Sequence, residues 1–266
     1  MQLTLSRTVH AIYLSMLLTA CAELPTKMSF YPDGTGADAT RFWPDLPEVP
    51  RYQYAGQLTG EQNFGPAERS EPGVGEKLLR WIVGLGSGYR QMPRILVRPQ
   101  SGMVDAAGRI YVTDTGRKAV FVFDDLQGKL HIWKQADRGD EFADPVGIVQ
   151  GADGEILVTD AGLHRVIRLH EDGSVLGSIG ADVLQRPTGI AFDAATRQAF
   201  VVDTLAHDIK VFDAVGSLVR IIGEHGTVPG KFNAPTHISI AGDRLYVTDT
   251  LNARLQVLDL EGNPVN

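Results

Sequence analysis

Four aspartates recur along the chain from residue 114 onward among nearly the same neighbours. Asp114, Asp160, Asp203 and Asp249 close the runs Tyr-Val-Thr-Asp, Leu-Val-Thr-Asp, Phe-Val-Val-Asp and Tyr-Val-Thr-Asp, spaced 43–46 residues apart. Carboxylates can ligate cations or act as general acids and bases. A reactive centre is needed once, however, and these residues stand in every copy. An Asp closing a strand before a hairpin accepts backbone N–H groups and tolerates turn geometry, so the set reads as scaffold. Histidine shows the same contrast. His164 and His207 each follow their aspartate by four residues, and recurrence assigns both to the hairpin. His237 does not recur: it fills the place that Gly147 and Gly189 hold in the copies before it. An imidazole is able to transfer protons or ligate a metal at neutral pH, which makes His237 the leading candidate for binding. Arg98 and Arg186, each just before the proline that opens a copy, mark a candidate anion-binding rim together with Arg90 and Arg94. No residue is nominated as catalytic or as a metal ligand. The chain has no His-x-x-x-His, His-Glu-x-x-His or paired-cysteine spacing, no Gly-x-Ser-x-Gly elbow and no P-loop. Gly84-Leu85-Gly86-Ser87-Gly88 lacks the trailing Lys-Ser/Thr of a phosphate cradle and reads as a loop.

The elements that must hold these residues repeat with them. Each copy opens on a proline (Pro99, Pro145, Pro187, Pro235) and continues into an apolar strand; a missing N–H costs little at a strand's first residue. A polar turn and a second strand lead to the shared aspartate. A tight hairpin follows, then a third strand with period-two alternation, as in Val120-Phe121-Val122-Phe123. A glycine turn at Gly128, Gly173, Gly216 or Gly262 precedes a fourth strand in the first three copies. A period in the forties built of four short strands predicts an all-β propeller of four-stranded antiparallel blades. In such a ring the proline-led segments flank the central channel, so His237, Arg98 and Arg186 become candidate channel-face residues. Tyr52–Leu58 and Lys77–Val83 read as strands three and four of a partial first blade, and little sequence follows Gly262. The expectation is about four and a half blades of a six-bladed ring.

Residues 1–20 are read as a signal peptide. Ala11–Leu18 is an apolar run too short to cross a bilayer as a helix. Leu18-Thr19-Ala20-Cys21 resembles a lipobox, whose cysteine is diacylated, and Cys21 is the single cysteine of the chain. Ala22, rather than an acid, follows it; the lipoprotein resemblance then implies an outer-membrane destination facing the periplasm. Residues 21–50, with Pro25, Pro32, Pro44, Pro47 and Pro50, are read as an extended tether, and Phe42 and Trp43 as aromatics that dock locally. Residues 51–266 form the propeller. One cysteine permits no intrachain disulfide. A net charge of −7 argues against a nucleic-acid surface and leaves the N-terminal lipid as the membrane contact.

Pro187-Thr188-Gly189-Ile190, Tyr246-Val247-Thr248-Asp249 and Asn252-Ala253-Arg254-Leu255-Gln256-Val257 resemble the NHL repeat. Its pattern runs from Pro-x-Gly-Ile through Tyr-Val-x-Asp to Asn-x-Arg-Val-x-Val-Phe. The resemblance spans the chain from about Ile95 onward. With the lipobox, it implies a bacterial lipoprotein carrying a six-bladed propeller. Propellers of this kind serve as scaffolds, RNA binders and, in some cases, lyases. The reading is a lipid-anchored envelope module that binds a protein or a glycan, with no cofactor. The alternative is a lyase- or lactonase-like enzyme using a divalent channel metal held by His237 and acids from neighbouring blades.

Overall fold

The structure is a computed structural model that describes residues 26–30, 42–45, 47–66 and 93–265. Cys21 and the run read as a lipobox, the strand expected over Lys77–Val83, the glycine run at 84–88 and Arg90 lie outside them. Two small antiparallel pairs come first. β1 (Thr26–Met28) pairs with β4 (Phe64–Pro66), and β2 (Phe42–Trp43) with β3 (Tyr52–Gln53). The proline-rich stretch is therefore stitched to the region after it at two points. Of the strand expected over Tyr52–Leu58 only Tyr52–Gln53 forms, and it pairs with the two aromatics, which stay exposed.

Four blades follow. The first is β5 (Pro99–Val104), β6 (Ile110–Asp114), β7 (Ala119–Asp124) and β8 (Lys129–Trp133). The second is β9 (Pro145–Gln150), β10 (Ile156–Asp160), β11 (Arg165–Leu169) and β12 (Val175–Ile179). The third is β13 (Pro187–Asp193), β14 (Gln198–Asp203), β15 (Asp208–Phe212) and β16 (Leu218–Ile222). Each is a sheet in strand order one to four, as predicted. The last holds three strands, β17 (Pro235–Ala241), β18 (Arg244–Asp249) and β19 (Arg254–Asp259), with a single bridge from Leu258 to Pro264 where a fourth begins in the others.

The core lies between blades. Successive side chains of a strand face opposite ways, so each blade offers one apolar face forward and one back. Tyr111, Val120 and Val122 of the first blade close on Ile148, Val158 and Ile167 of the second. Leu157 and Val166 of the second close on Ile190 and Val201 of the third. Phe200, Ile209 and Val211 meet Ile238, Leu245 and Val247 of the last. Phe121 and Phe123, facing backward from the first blade, are covered by Met28, Leu58, Phe64 and Leu96. The forward face of the last blade has no such cover among the described residues. Leu255 is 60% exposed there, whereas its equivalents Val120, Val166 and Ile209 are 0% exposed, and Thr248 is exposed too.

The first strands stand side by side at the centre and need room to do so. A Cβ on Gly147 would lie 2.3 Å from the Thr188 carbonyl oxygen, and one on Gly189 would lie 2.7 Å from the His237 Cα. Glycine at this place lets adjacent inner strands approach backbone to backbone. Among the described residues no helix is long and apolar enough to cross a membrane.

Candidate functional site

The shared aspartates form a clamp built four times. Each carboxylate is 0% exposed and sits at the end of a second strand. Asp160 accepts N–H bonds from Ala143 (2.8 Å) and Asp144 (2.9 Å), the two residues before Pro145, and from Leu163 (2.9 Å) in its own hairpin. Asp114 does the same for Val97, Arg98 and Arg117. Asp203 takes Gln185 and Arg186 at 2.7 and 2.8 Å. Asp249 takes Asn233 at 2.7 Å and, instead of a hairpin N–H, the side chains of Asn252, Arg254 and Gln256. One side chain thus ties the entrance of the first strand to the turn after the second. Burial by itself would raise the carboxyls of Asp203 and Asp249. Their N–H donors and cations, Lys210 for Asp203 and Arg254 for Asp249, outweigh it and hold both below the usual range.

The recurring histidines tie one blade to the next. His164 and His207 sit at φ of 57° and 58°, in the left-handed turn position that Lys118 and Ala253 occupy in the other blades. Nδ1 of His164 donates to the Gln185 carbonyl of the third blade. Nδ1 of His207 accepts the Ala234 N–H of the last blade at 2.9 Å. The rings of His207 and His225 meet edge to face at 4.6 Å.

A further tie went unread in the sequence although its signal was present. Thr113 Oγ1 donates to the Val146 carbonyl at 2.6 Å, and Thr159 Oγ1 to the Thr188 carbonyl at 2.5 Å. These are the threonines of the repeated Val-Thr-Asp. In the third blade Val202 takes that place, and Thr204, just past the aspartate, donates to the Pro235 carbonyl at 2.6 Å. A second unread feature is Lys210, buried on β15 between Asp203 (2.9 Å) and Asp208 (2.7 Å).

The three candidates from the sequence are exposed and do not converge on one point through any bond of the structure. Arg98 and Arg186 hold the same repeat position two blades apart, with Asp144 between them; Arg186 Nη2 lies 3.9 Å from Asp144 Oδ2. His237 pairs with Thr248 across β17 and β18. The equivalent glycines put their Cβ direction against the following blade's inner strand, so the slot looks along the ring as well as at its mouth. Among the described residues no group of three or more His, Cys, Asp or Glu could hold a metal ion.

No family model matches the chain. It is 31% identical to NHL repeat-containing protein 2 of Bos taurus over 147 residues, covering 50% of this chain and 20% of that protein. It therefore spans about one fifth of the length of the curated relatives it matches. A streptogramin B lyase superposes with a TM-score of 0.53 at 15% identity, over 66% of this chain and 58% of that one. A gluconolactonase of Xanthomonas campestris superposes with a TM-score of 0.52 at 23% identity, over 65% and 64%. At such identities the likeness is one of fold. The sequence match and the four blades together support an NHL-repeat propeller.

Proposed function

We propose that this NHL-repeat propeller is a binding module of the bacterial cell envelope. In this reading a lipid on Cys21 anchors it to the outer membrane facing the periplasm, and it binds a protein or a glycan through the proline-led loops. One observation carries the reading. The conspicuous polar residues of the repeat are engaged in holding blades together, while the residue before each proline changes in type and charge from one blade to the next (Arg98, Asp144, Arg186, Ala234) on a rigid base. Exposed variable loops on a fixed scaffold are where recognition is carried. The same reading takes the blades as part of a six-bladed ring.

A photo-crosslinking residue at position 98 or 186 should give a discrete adduct in whole envelopes, and one at Val219, on an outer strand, should give none. Equal labelling at all three positions, or none at any, overturns the proposal. For the anchor, Cys21→Ala should move the protein from the membrane to the soluble periplasmic fraction. The lyase or lactonase reading is favoured by one feature, the exposed imidazole of His237. It requires a stoichiometric divalent ion in the purified protein that disappears on His237→Ala.

A further inference from the structure

Two cavities adjoin on the backward side of the first blade, sharing Pro93 and Arg117. The first, of about 500 Å³, is walled mainly by carbon, from Leu58, Ile95, Leu96 and Pro99. The second, of about 670 Å³, has Phe121 and Ile132 in its lining and three cations around them, Arg94, Arg117 and Lys134. Among the described residues no carboxylate lines either cavity. The nearby acids are engaged with backbone: Glu61 accepts the Arg94 N–H at 3.0 Å, and Asp114 the Arg117 N–H at 2.9 Å. Arg117 Nε donates to the Ile95 carbonyl at 3.0 Å, which fixes the guanidinium where the cavities meet. Among the described residues none of the three cations has an ion-pair partner.

These cations break the repeat. Three residues past the aspartate, where the first blade has Arg117, the others have Leu163, Ala206 and Asn252. Just after the outer strand, where the first blade has Lys134, the next two have Gly180 and Gly223. In a chain of net charge −7, three basic side chains around one opening run against the general composition. Both volumes fall in the range of small-molecule sites, roughly 300–1,000 Å³.

We propose that this pair of cavities binds an amphipathic organic anion, an alkyl carboxylate, with its chain along Leu58, Ile95 and Leu96 and its head group against Arg117, Lys134 and Arg94. A carboxylate matches the fork of a guanidinium and takes charge-assisted hydrogen bonds from it. The adjoining apolar cavity supplies the part of the site that charge alone does not.

The test is calorimetric titration of the full chain with decanoate below its micelle concentration, with decanol and decyltrimethylammonium as neutral and cationic counterparts. Decanoate should bind with one-to-one stoichiometry and the other two at least about tenfold more weakly. Arg117→Gln and Lys134→Gln should each weaken decanoate by about tenfold with unchanged circular dichroism; the one hydrogen bond of Lys134 among the described residues is made by its backbone carbonyl, to the Phe142 N–H, which the substitution keeps. Ile95→Ser should reduce the gain from octanoate to decanoate. Equal binding of decanol, decanoate affinity unchanged in Lys134→Gln, or no binding of decanoate overturns the proposal.

Discussion

Asp203 keeps different company from its three counterparts. Seven residues on, where the first two blades place Phe121 and Ile167, the third places Lys210, and Asp208 completes a buried ionic triad. Removing one partner of such a set strands the others without compensation. Lys210→Met should therefore cost about 3–5 kcal/mol in urea unfolding at neutral pH, and Asp208→Ala in that background should restore much of it, since Asp203 keeps its backbone donors. The loss has a pH sign. Burial holds the Asp208 carboxyl above its usual range, so the penalty of its charged form is present above that raised value and fades as pH falls through it. The Lys210→Met deficit should shrink in acid. The clamps run the other way. Asp203 and Asp249 titrate below the ordinary 3.8, so their contribution is whole above that value and drains as pH drops through the depressed ones. Between about pH 5 and pH 2 the urea midpoint should fall, and Asp249→Asn should flatten that fall while lowering the plateau.

At the scale of the strand, spacing controls stability through glycine. Gly189→Ala places a methyl carbon 2.7 Å from the backbone of β17, and backbone cannot swing aside as a side chain can. Opening the third blade from the last should cost about 1–3 kcal/mol. Gly139→Ala, with open space around its Cβ, is the matched control and should be nearly neutral in the same thermal melt. This scale also shows what the residues alone revealed. Strand order, the aspartate clamp and the hairpin histidines were all legible, because a period repeated four times averages out the local ambiguity of short apolar runs. The strand expected over Tyr52–Leu58 was not. Tyr52–Leu58 looks like a strand by composition, but a strand forms only where a partner's backbone meets it, and only Tyr52 and Gln53 find one in Trp43 and Phe42. The cluster of cations on the first blade was not legible: Arg94 was named as part of a rim with Arg90, Arg98 and Arg186, whereas Arg117 and Lys134 stand beside it only through the folding of β6 to β8 around one opening.

Over the whole molecule, stability is a chain of nearest-neighbour contacts: each blade touches the one before and the one after, and the apolar core is divided among the seams. The second and third blades are covered on both faces by other blades. Native-state hydrogen exchange should therefore be slowest in β10 and β14, intermediate in β6 and, where no further blade covers them, fastest in β18 and β19. Uniform protection across the four would contradict the seam model.

The bare forward face of β17–β19 gives this series a direction. Thr113 and Thr159 each anchor a carbonyl of the following blade; Thr248 stands exposed in the same place, and Leu255 beside it is wetted where Val120, Val166 and Ile209 are dry. An opening that starts there gives up one seam at a time, whereas one that starts in the middle must break two. Among the described residues the seams lie in series like the teeth of a zipper, and the face forward of β17–β19 is the unfastened end of that series. Wherever that face is left uncovered, mechanical load or a sparing dose of protease should undo the blades one by one from β19 toward β5, leaving the first blade and its stitched leader strands for last.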